Sequence, residues 1–280
     1  MSAIEVGYLR QWIGVPKDDR DVLAVRHARL MAATLDLDPS ALYPGAPLPP
    51  LWHWIYFLDG LPPRELGCDG HPARGGFLPP VPLANRMWAG GRVSFLAPLP
   101  LGATIDKRSQ VTAVEHKAGR SGDLVFVTVL HEFRHEGTLA LSEEHDIVYR
   151  DPSPRHAAKV REPNLQPQHR KPFDADSTML FRYSALTFNG HRIHYDADYC
   201  RDAEGYANLV IHGPLSATLL ASYAQDVAGR ELQRFSYRGV QPALLGAGLT
   251  LNATVQGGHV TAWTTLGDGT ISMQAEATVG

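Results

Sequence analysis

The densest group of polar side chains in this 280-residue chain lies between Thr187 and Asp196. Five of its members carry groups that hold, donate or accept protons. Histidine is especially suited to proton transfer near neutrality, because its unperturbed pKa is about 6.5. The segment therefore predicts a site for acid–base chemistry, with these candidate side chains: Asn189, His191, Arg192, His194 and Asp196.

A second group, Val210–Leu215, lies where a helix is predicted to begin. The helix is predicted from Pro214 to Val227, since Pro214 suits the first turn and Gly229 suits the stop. The first N–H groups of a helix have no hydrogen-bond partners within the helix, and the positive end of the helix dipole lies there. Both would therefore be directed at a ligand that binds next to Gly213. A histidine beside such donors suits addition or elimination α to a carbonyl. The histidine moves the proton, while the donors hold the developing enolate oxygen.

These two groups resemble the signature of the MaoC-like (R)-specific enoyl-CoA hydratases and type 2 hydroxyacyl-thioester dehydratases, which have hot-dog folds. In that family an Asp-x-Asn-Pro-(Leu/Ile)-His segment precedes an (Ile/Val)-(Val/Ala)-His-Gly-(Met/Pro)-Leu segment. Here Asn189 to His194 takes the first place and Val210 to Leu215 takes the second. The resemblance implies that His194 is the catalytic histidine and that the Gly213 N–H contacts the thioester oxygen.

Asn189 lies where most of the family has the catalytic aspartate, and an amide can orient a water but cannot take its proton. The Asn-x-His-(Arg/Lys)-Ile-His-Tyr-Asp version resembles the branch that contains mesaconyl-C4-CoA (3-methylfumaryl-CoA) and itaconyl-CoA hydratases. Ser142–Arg150 and the segment from Leu51 to Trp54 also resemble that branch. The resemblance covers most of the chain. It implies a hydro-lyase without a cofactor that reversibly hydrates itaconyl-CoA or mesaconyl-C4-CoA to citramalyl-CoA, with Asn189 holding the water.

The substrates of this branch carry a second carboxylate, which an arginine can hold with two parallel hydrogen bonds. Arg192 stands beside the proposed catalytic histidine, and Arg182 lies on the preceding predicted strand. The alternative is that these two arginines bind CoA phosphates or structural acids. Arg86, ahead of a Gly-Gly pair, is a further candidate for the CoA phosphates. The alternative for Arg86 is a place on the surface where a glycine-rich strand begins.

A metal site is the other chemistry that this segment suggests, since His191, His194, Asp196 and Asp198 are all ligand types. In an extended segment, however, His191 and His194 point to opposite faces. We therefore predict no metal, and we expect the two aspartates to serve as a helix cap and a surface group. His212 is expected to shape the turn at the helix start and to line the substrate site.

The elements that position these residues are read from periodicity and from turn residues. Residues 18–36 are predicted to form the first helix, and 51–58 a short buried helix or strand. The linker is predicted at 151–172, where five prolines occur. Strands are predicted at Val111–Lys117, Asp123–Phe133, Leu139–Tyr149 and Met179–Thr187, with a hairpin turn at 118–122.

An internal repeat links the two halves of the chain. Pro98–Ala103 matches Pro242–Ala247, and Gly137–Glu144 matches Gly269–Glu276. Each half is predicted to hold a helix followed by antiparallel strands, and two such α+β units can join their sheets edge to edge. We predict a double hot-dog pseudo-dimer in one chain. Its domains are expected at 1–150 and 173–280, with the site in the second and the first as a roof over it.

Composition and charge exclude several classes of function. The formal net charge is −3, which offers no basic surface for nucleic acid. The longest apolar runs are far too short to span a membrane, and the N-terminus has no secretory pattern. Two cysteines cannot form a disulfide framework. We expect a cytoplasmic protein that acts on a CoA thioester rather than on an acidic carrier protein, with a homodimer as a further expectation.

Three other functions stay open at this point. The first is an acyl-CoA thioesterase, which would want a carboxylate near Gly213 and is weakened by Asn189. The second is an (R)-specific 3-hydroxyacyl-thioester dehydratase of fatty-acid type. The third is a non-catalytic acyl-CoA binding module, against which the pairing of His194 with His212 and Gly213 argues.

Overall fold

The computed structural model describes residues 4–119, 122–151 and 166–280. The α-helices in this part of the chain are α1 (Val6–Leu9), α2 (Val25–Thr34), α3 (Ser177–Leu186), α4 (Ala197–Asp202) and α5 (Gly213–Ala228). Short 3₁₀ helices lie at Arg10–Trp12, Pro39–Ala41, Trp52–Ile55, Pro63–Glu65 and Arg192–His194. The strands of the first half are β1 (Pro16–Val22), β2 (Asn85–Phe95), β3 (Thr104–Gly119), β4 (Gly122–His135) and β5 (Thr138–Arg150). Those of the second half are β6 (His169–Phe173), β7 (Leu232–Gly239), β8 (Leu249–Gln256), β9 (His259–Leu266) and β10 (Ile271–Val279).

The strands form one antiparallel sheet in the order β1-β3-β4-β5-β2-β7-β10-β9-β8-β6. Counted outward from the central β2–β7 pair, the first half runs β2-β5-β4-β3-β1 and the second runs β7-β10-β9-β8-β6. Each strand of one half therefore has its counterpart five strands later in the other. The two repeat motifs fall at equivalent places, before β3 and β8 and around the β4–β5 and β9–β10 turns. This is the double hot-dog arrangement that the sequence predicts.

Helix α5 is the central helix of the second half, as predicted, and it packs on β7, β8, β9 and β10. Its buried face is made of small and aliphatic side chains together with Tyr223, and the small ones allow the helix to lie close to the sheet. Pro214 occupies the first turn, and Gly229 ends the helix in the left-handed conformation (φ 61°). The buried residues are Leu215, Ser216, Ala217, Thr218, Leu220, Ala221, Tyr223 and Ala224.

The predicted first helix, residues 18–36, is wrong in its first part. Residues 16–22 form the edge strand β1, whose residues alternate between exposed and half-buried, and only Val25–Thr34 is helical. The charged residues of this segment fit an edge strand because the backbone pairs with β3. Their side chains can stay in solvent or form ion pairs, as Arg20 does with Asp106. Charged side chains on an edge strand also discourage pairing with other chains.

The predicted strand Met179–Thr187 is also wrong, because it is the helix α3. Asp176 caps this helix by accepting a hydrogen bond from Met179 N at 2.7 Å, which satisfies an N–H that would otherwise lack a partner. Leu180, Tyr183 and Leu186 are buried, a spacing of three residues that belongs to a helix rather than to a strand. The capping aspartate was the signal that favoured the helix.

Other predicted elements agree with the structure more closely. The three strands and the hairpin of the first half are confirmed, although residues 120–121 of the turn lie outside the described residues. Residues 51–58 contain the buried 3₁₀ helix Trp52–Ile55. Most of the predicted linker, 151–172, also lies outside the described residues, but its last four residues belong to β6, which pairs with β8. The domain boundaries stay predictions.

The two halves also meet away from the sheet. Helix α2 packs on α3, and His27 Nε2 lies 3.0 Å from the carbonyl oxygen of Leu186. Among the described residues, no helix is both long and apolar enough to cross a membrane.

Candidate active site

His194 lies at the end of the 3₁₀ helix Arg192–His194 and is only 6% exposed. Its Nδ1 is 2.7 Å from the carbonyl oxygen of Val210. A carbonyl only accepts, so Nδ1 carries the proton and Nε2 is left with a lone pair. Burial lowers the pKa of His194 to about 4, against a smaller opposing effect of the Val210 hydrogen bond. The imidazole is therefore neutral at pH 7 and can accept a proton.

His212 stacks on His194, with ring centroids 3.6 Å apart and 20° between the planes. Its Nε2 lies 2.8 Å from Ser184 Oγ, and its buried Nδ1 has no hydrogen-bond partner among the described residues. Burial, followed by the neighbouring His194 and His191, lowers the pKa of His212 well below the ordinary value. His212 is itself the N-cap residue of α5, so its ring packs on His194 at the start of this helix.

Gly213 is the first residue of α5, directly after the N-cap residue His212. The backbone N–H groups of the first turn have no intrahelical acceptor, and the 16-residue helix places its positive dipole end here. A Cβ built on Gly213 would meet nothing within 4 Å. Open space therefore borders the backbone at the point where a developing oxyanion would need a donor.

Asn189 lies at the turn that leads into residues His191–His194, called the histidine segment below. The preceding residue, Phe188, is in the left-handed conformation (φ 49°), and Asn189 Oδ1 accepts a hydrogen bond from His191 N at 2.9 Å. This side-chain turn sets the direction of the loop. Asn189 is thus partly used for structure, and its role in holding the water stays a prediction.

A loop of the first half, residues 67–72, contacts the ring of His191. The rings of His71 and His191 have centroids 4.0 Å apart. Asp69 Oδ2 lies 3.2 Å from His71 Nδ1. Sequence analysis missed both Asp69 and His71. The Asp-Gly-His segment signals a turn, but nothing in it indicates contact with a loop about 120 residues later in the sequence.

The metal ligands considered from the sequence are not brought together. Asp196 caps α4 through Tyr199 N at 2.9 Å, and Asp198 pairs with Arg201. The ligand atoms of Asp69, His71 and His191 do lie within 4.8 Å of one another. The Asp69 carboxylate, however, already accepts hydrogen bonds from the His71 backbone and ring, which is the arrangement of an oriented Asp–His pair.

The predicted arginines occupy three different environments. Arg192 pairs with Asp196 at 2.8 Å and lies over the ring of Tyr199, so it has the structural partner that the sequence left open as an alternative. Arg182 is exposed on α3. Arg86 reaches from β2 to the carbonyl oxygen of Pro72 (3.5 Å), next to His71. Its charge also contributes to lowering the pKa of His191, although burial is the main cause of that shift.

Comparisons with known proteins identify the family of this chain. The family profile described as hydroxyacyl-thioester dehydratase type 2 matches residues 51–245. This chain belongs to that family. It is 40% identical over 275 residues to the mesaconyl-C(4)-CoA hydratase of Chloroflexus aurantiacus, which covers 96% of this chain and 97% of the relative.

Solved structures show the same fold at lower sequence identity. A MaoC-like dehydratase from Phytophthora capsici aligns with a TM-score of 0.71 at 15% identity, over 99% of this chain and 98% of the other. A Mycobacterium tuberculosis protein with a double hotdog fold aligns with a TM-score of 0.56 at 12% identity, over 95% and 96%. The family and the 40%-identical relative place this chain among the hydro-lyases, as the sequence predicted.

Proposed function

We propose that this protein hydrates a short α,β-unsaturated CoA thioester that carries a second carboxylate, with mesaconyl-C4-CoA as the best-fitting substrate. The proposal rests on His194, which is neutral and buried and stacks on His212 at the start of α5. The open space next to the following residue, Gly213, could hold the thioester. The identity to a mesaconyl-C(4)-CoA hydratase supports the choice of substrate.

The reaction needs an oxyanion donor and a base. The thioester oxygen accepts a hydrogen bond from the Gly213 N–H, where the helix dipole favours negative charge. Water held near Asn189 adds to the β-carbon while His194 Nε2 takes one of its protons. The electron pair of the double bond moves onto the thioester as an enolate, which is then protonated at the α-carbon.

Conjugation favours mesaconyl-C4-CoA over itaconyl-CoA in this site. The double bond of mesaconyl-C4-CoA is conjugated with the thioester, so the charge of the intermediate reaches the oxygen that faces Gly213. In itaconyl-CoA the double bond is conjugated with the free carboxylate instead. A donor directed at the thioester oxygen would stabilise only the first of these intermediates.

The free carboxylate of mesaconyl-C4-CoA sits on the β-carbon, close to the attacking water. Arg86 is the best-supported partner for it, because its guanidinium lies beside the loop that carries His71. Arg192 is already paired with Asp196, and Arg182 is exposed on the outer surface of α3. Both remain weaker candidates, for the carboxylate or for CoA phosphates.

An assay of four thioesters tests the proposed function. The purified protein is incubated with mesaconyl-C4-CoA, itaconyl-CoA, crotonyl-CoA and butyryl-CoA, and both enoyl absorbance and free thiol are followed. We expect loss of absorbance without thiol release, fastest with mesaconyl-C4-CoA. Thiol release from any substrate would instead indicate a thioesterase. Binding without either change would indicate an acyl-CoA binding module.

Arg86→Ala tests the carboxylate partner. A charge-assisted hydrogen bond contributes about 1.5–3 kcal/mol, so the preference for mesaconyl-C4-CoA over crotonyl-CoA should fall roughly 10- to 100-fold. Arg108→Ala, at an exposed arginine of β3, is the matched control and should leave the preference unchanged. An unchanged ratio in Arg86→Ala would remove Arg86 from the site.

A homodimer and a cytoplasmic location stay predictions. Light scattering of the purified protein checks the first, and fractionation of cells that express it checks the second.

A further inference from the structure

The loop 67–72 of the first half is fixed against the histidine segment of the second half. The carbonyl oxygen of Asp69 accepts a hydrogen bond from Arg192 N at 2.9 Å, and that of Cys68 accepts one from Arg192 Nη1 at 3.3 Å. A Cβ on Gly70 would overlap the carbonyl oxygen of Gly190, so the two loops touch through their backbones. The side chains of Asp69 and His71 are therefore held in a defined place beside the site.

Within this loop Asp69 orients His71. Its two carboxylate oxygens accept from the His71 backbone N–H at 3.0 Å and from the ring Nδ1 at 3.2 Å. Burial opposes the charge of Asp69, but the hydrogen bonds from His71 outweigh it and hold the pKa of the carboxyl well below its usual range. A carboxylate only accepts, so Nδ1 carries a proton and Nε2 is the ring atom available for proton transfer.

Hydration moves two protons, one taken from water and one given to the α-carbon, and the proposed reaction assigns a base, His194, only to the first of them. His194 takes a proton from the water at the β-carbon. Asn189, which stands where most of the family has an aspartate, has no proton to give and cannot accept one from water. A second group must deliver a proton to the α-carbon, or His194 must do both.

We propose that His71, oriented by Asp69, is the second proton-transfer group of the site, so that each half of the chain supplies one histidine. This inference rests on the proposed hydratase function. His71 Nε2 gives its proton to the α-carbon as the enolate collapses, while His194 Nε2 gains a proton from water and the hydroxyl bonds to the β-carbon. The proton then returns from His194 to His71 through solvent, which restores both groups. Asp69 is a positioning residue that acts through His71.

The kinetic test compares His71→Ala with His116→Ala, using mesaconyl-C4-CoA. His116 is paired with Asp123 on the hairpin of β3 and β4, away from the site, so it controls for loss of a His–Asp pair. General acid–base groups contribute about 10²- to 10⁴-fold. We expect kcat to fall at least about 100-fold in His71→Ala with KM changed by less than about threefold, and no loss in His116→Ala.

Chemical rescue separates a proton-transfer role from a structural one. Added imidazole should restore at least about tenfold of the lost kcat in His71→Ala, because His71 is half-buried rather than enclosed. Asp69→Asn should lower kcat by about tenfold or more and should not respond to imidazole. A kcat for His71→Ala within threefold of that for His116→Ala, or a loss that imidazole does not rescue in a protein with unchanged Tm, would overturn the proposal.

Isotope exchange assigns the two histidines. His194→Ala cannot protonate the leaving hydroxyl, yet it should still exchange the α-hydrogens of citramalyl-CoA with D₂O, and His71→Ala should not. Exchange in His71→Ala, or in neither variant, would contradict the assignment.

A metal-removal test checks the alternative that Asp69, His71 and His191 bind a metal ion. Dialysis against EDTA should leave kcat unchanged. A loss of kcat that added Zn²⁺ restores would instead make these three residues metal ligands. If the wild-type protein hydrates no enoyl thioester, the proposed function itself fails, and this outcome is distinct from all the others.

Discussion

The two halves share their strand order but differ at the start of the central helix. Leu48 N bonds to Leu99 O in the first half as Ile211 N bonds to Ala243 O in the second, both at 2.8 Å. After Ile211 come His212, Gly213 and a 16-residue helix. After Leu48 come two prolines and a four-residue 3₁₀ helix. Proline has no N–H to donate, so the first half lacks, at this place, the backbone N–H that Gly213 offers in the second half.

The space above the sheet is filled differently as a result. By the repeat, Glu143 in β5 corresponds to Ala275 in β10. Ala275 lies under the long helix α5, where a small residue fits. Glu143 instead lies under the short 3₁₀ helix, where His53 Nε2 (2.9 Å) and Trp54 Nε1 (3.0 Å) contact its carboxylate. The first half therefore has the same sheet, but a short 3₁₀ helix over a buried polar cluster stands where the second half has α5.

The largest effect that would break this comparison is expected from His194→Ala. The second half would then lack its base, and hydration of mesaconyl-C4-CoA should fall about 10²- to 10⁴-fold. Steady-state kinetics by enoyl absorbance measure the change, with His116→Ala as the folded control. Activity within tenfold of the wild type would mean that the stacked histidine pair is structural.

Glu143→Ala tests the polar cluster of the first half by making it resemble the second. Burial opposes ionisation of Glu143, but the hydrogen bond and charge of His53 hold its pKa well below the usual range. A buried group left without its hydrogen-bond partner typically costs about 1–3 kcal/mol, and Glu143→Ala would leave two such groups, His53 and Trp54. Urea unfolding should show a loss of that size. Ala275→Gly, at the equivalent place, removes one methyl group and serves as the comparison. A loss below about 1 kcal/mol in Glu143→Ala would show that the cluster contributes little.

Gly213→Ala sharpens the contrast at the helix start. The added methyl group meets no protein atom within 4 Å, and alanine stabilises a helix by roughly 0.5–1 kcal/mol relative to glycine. The free energy of unfolding should therefore rise slightly. Activity should fall roughly tenfold, because the methyl group enters the space beside the donor. Urea unfolding measures the expected gain in stability, and steady-state kinetics measure the expected loss of activity. An unchanged kcat/KM would mean that the thioester does not bind next to Gly213.

Sequence reasoning predicts the features that depend on local signals. The helix start at His212, Gly213 and Pro214 carries its own capping and turn residues, and the repeat predicts the duplicated sheet. Prediction from the sequence fails where a contact between residues far apart in the chain decides the structure. Residues 16–22 are a strand because β3 lies beside them, and Asp69 lies beside the histidines of the second half only because its loop packs on Gly190.

A further comparison of the two halves concerns pH, since each half holds a neutral histidine whose pKa burial lowers. Burial is the main cause that lowers the pKa to about 3 for His131 in the first half and to about 4 for His194 in the second. Each binds a proton more readily when unfolded, at about 6.5. The unfolded state therefore holds more protons between pH 4 and 6.5, and stability rises with pH across this window. Replacing His194 by Gln should reduce this dependence by up to about 1.4 kcal/mol per pH unit, as measured by urea unfolding at several pH values. The same slope in both proteins would mean that His194 titrates alike in the folded and unfolded chains, which its burial argues against.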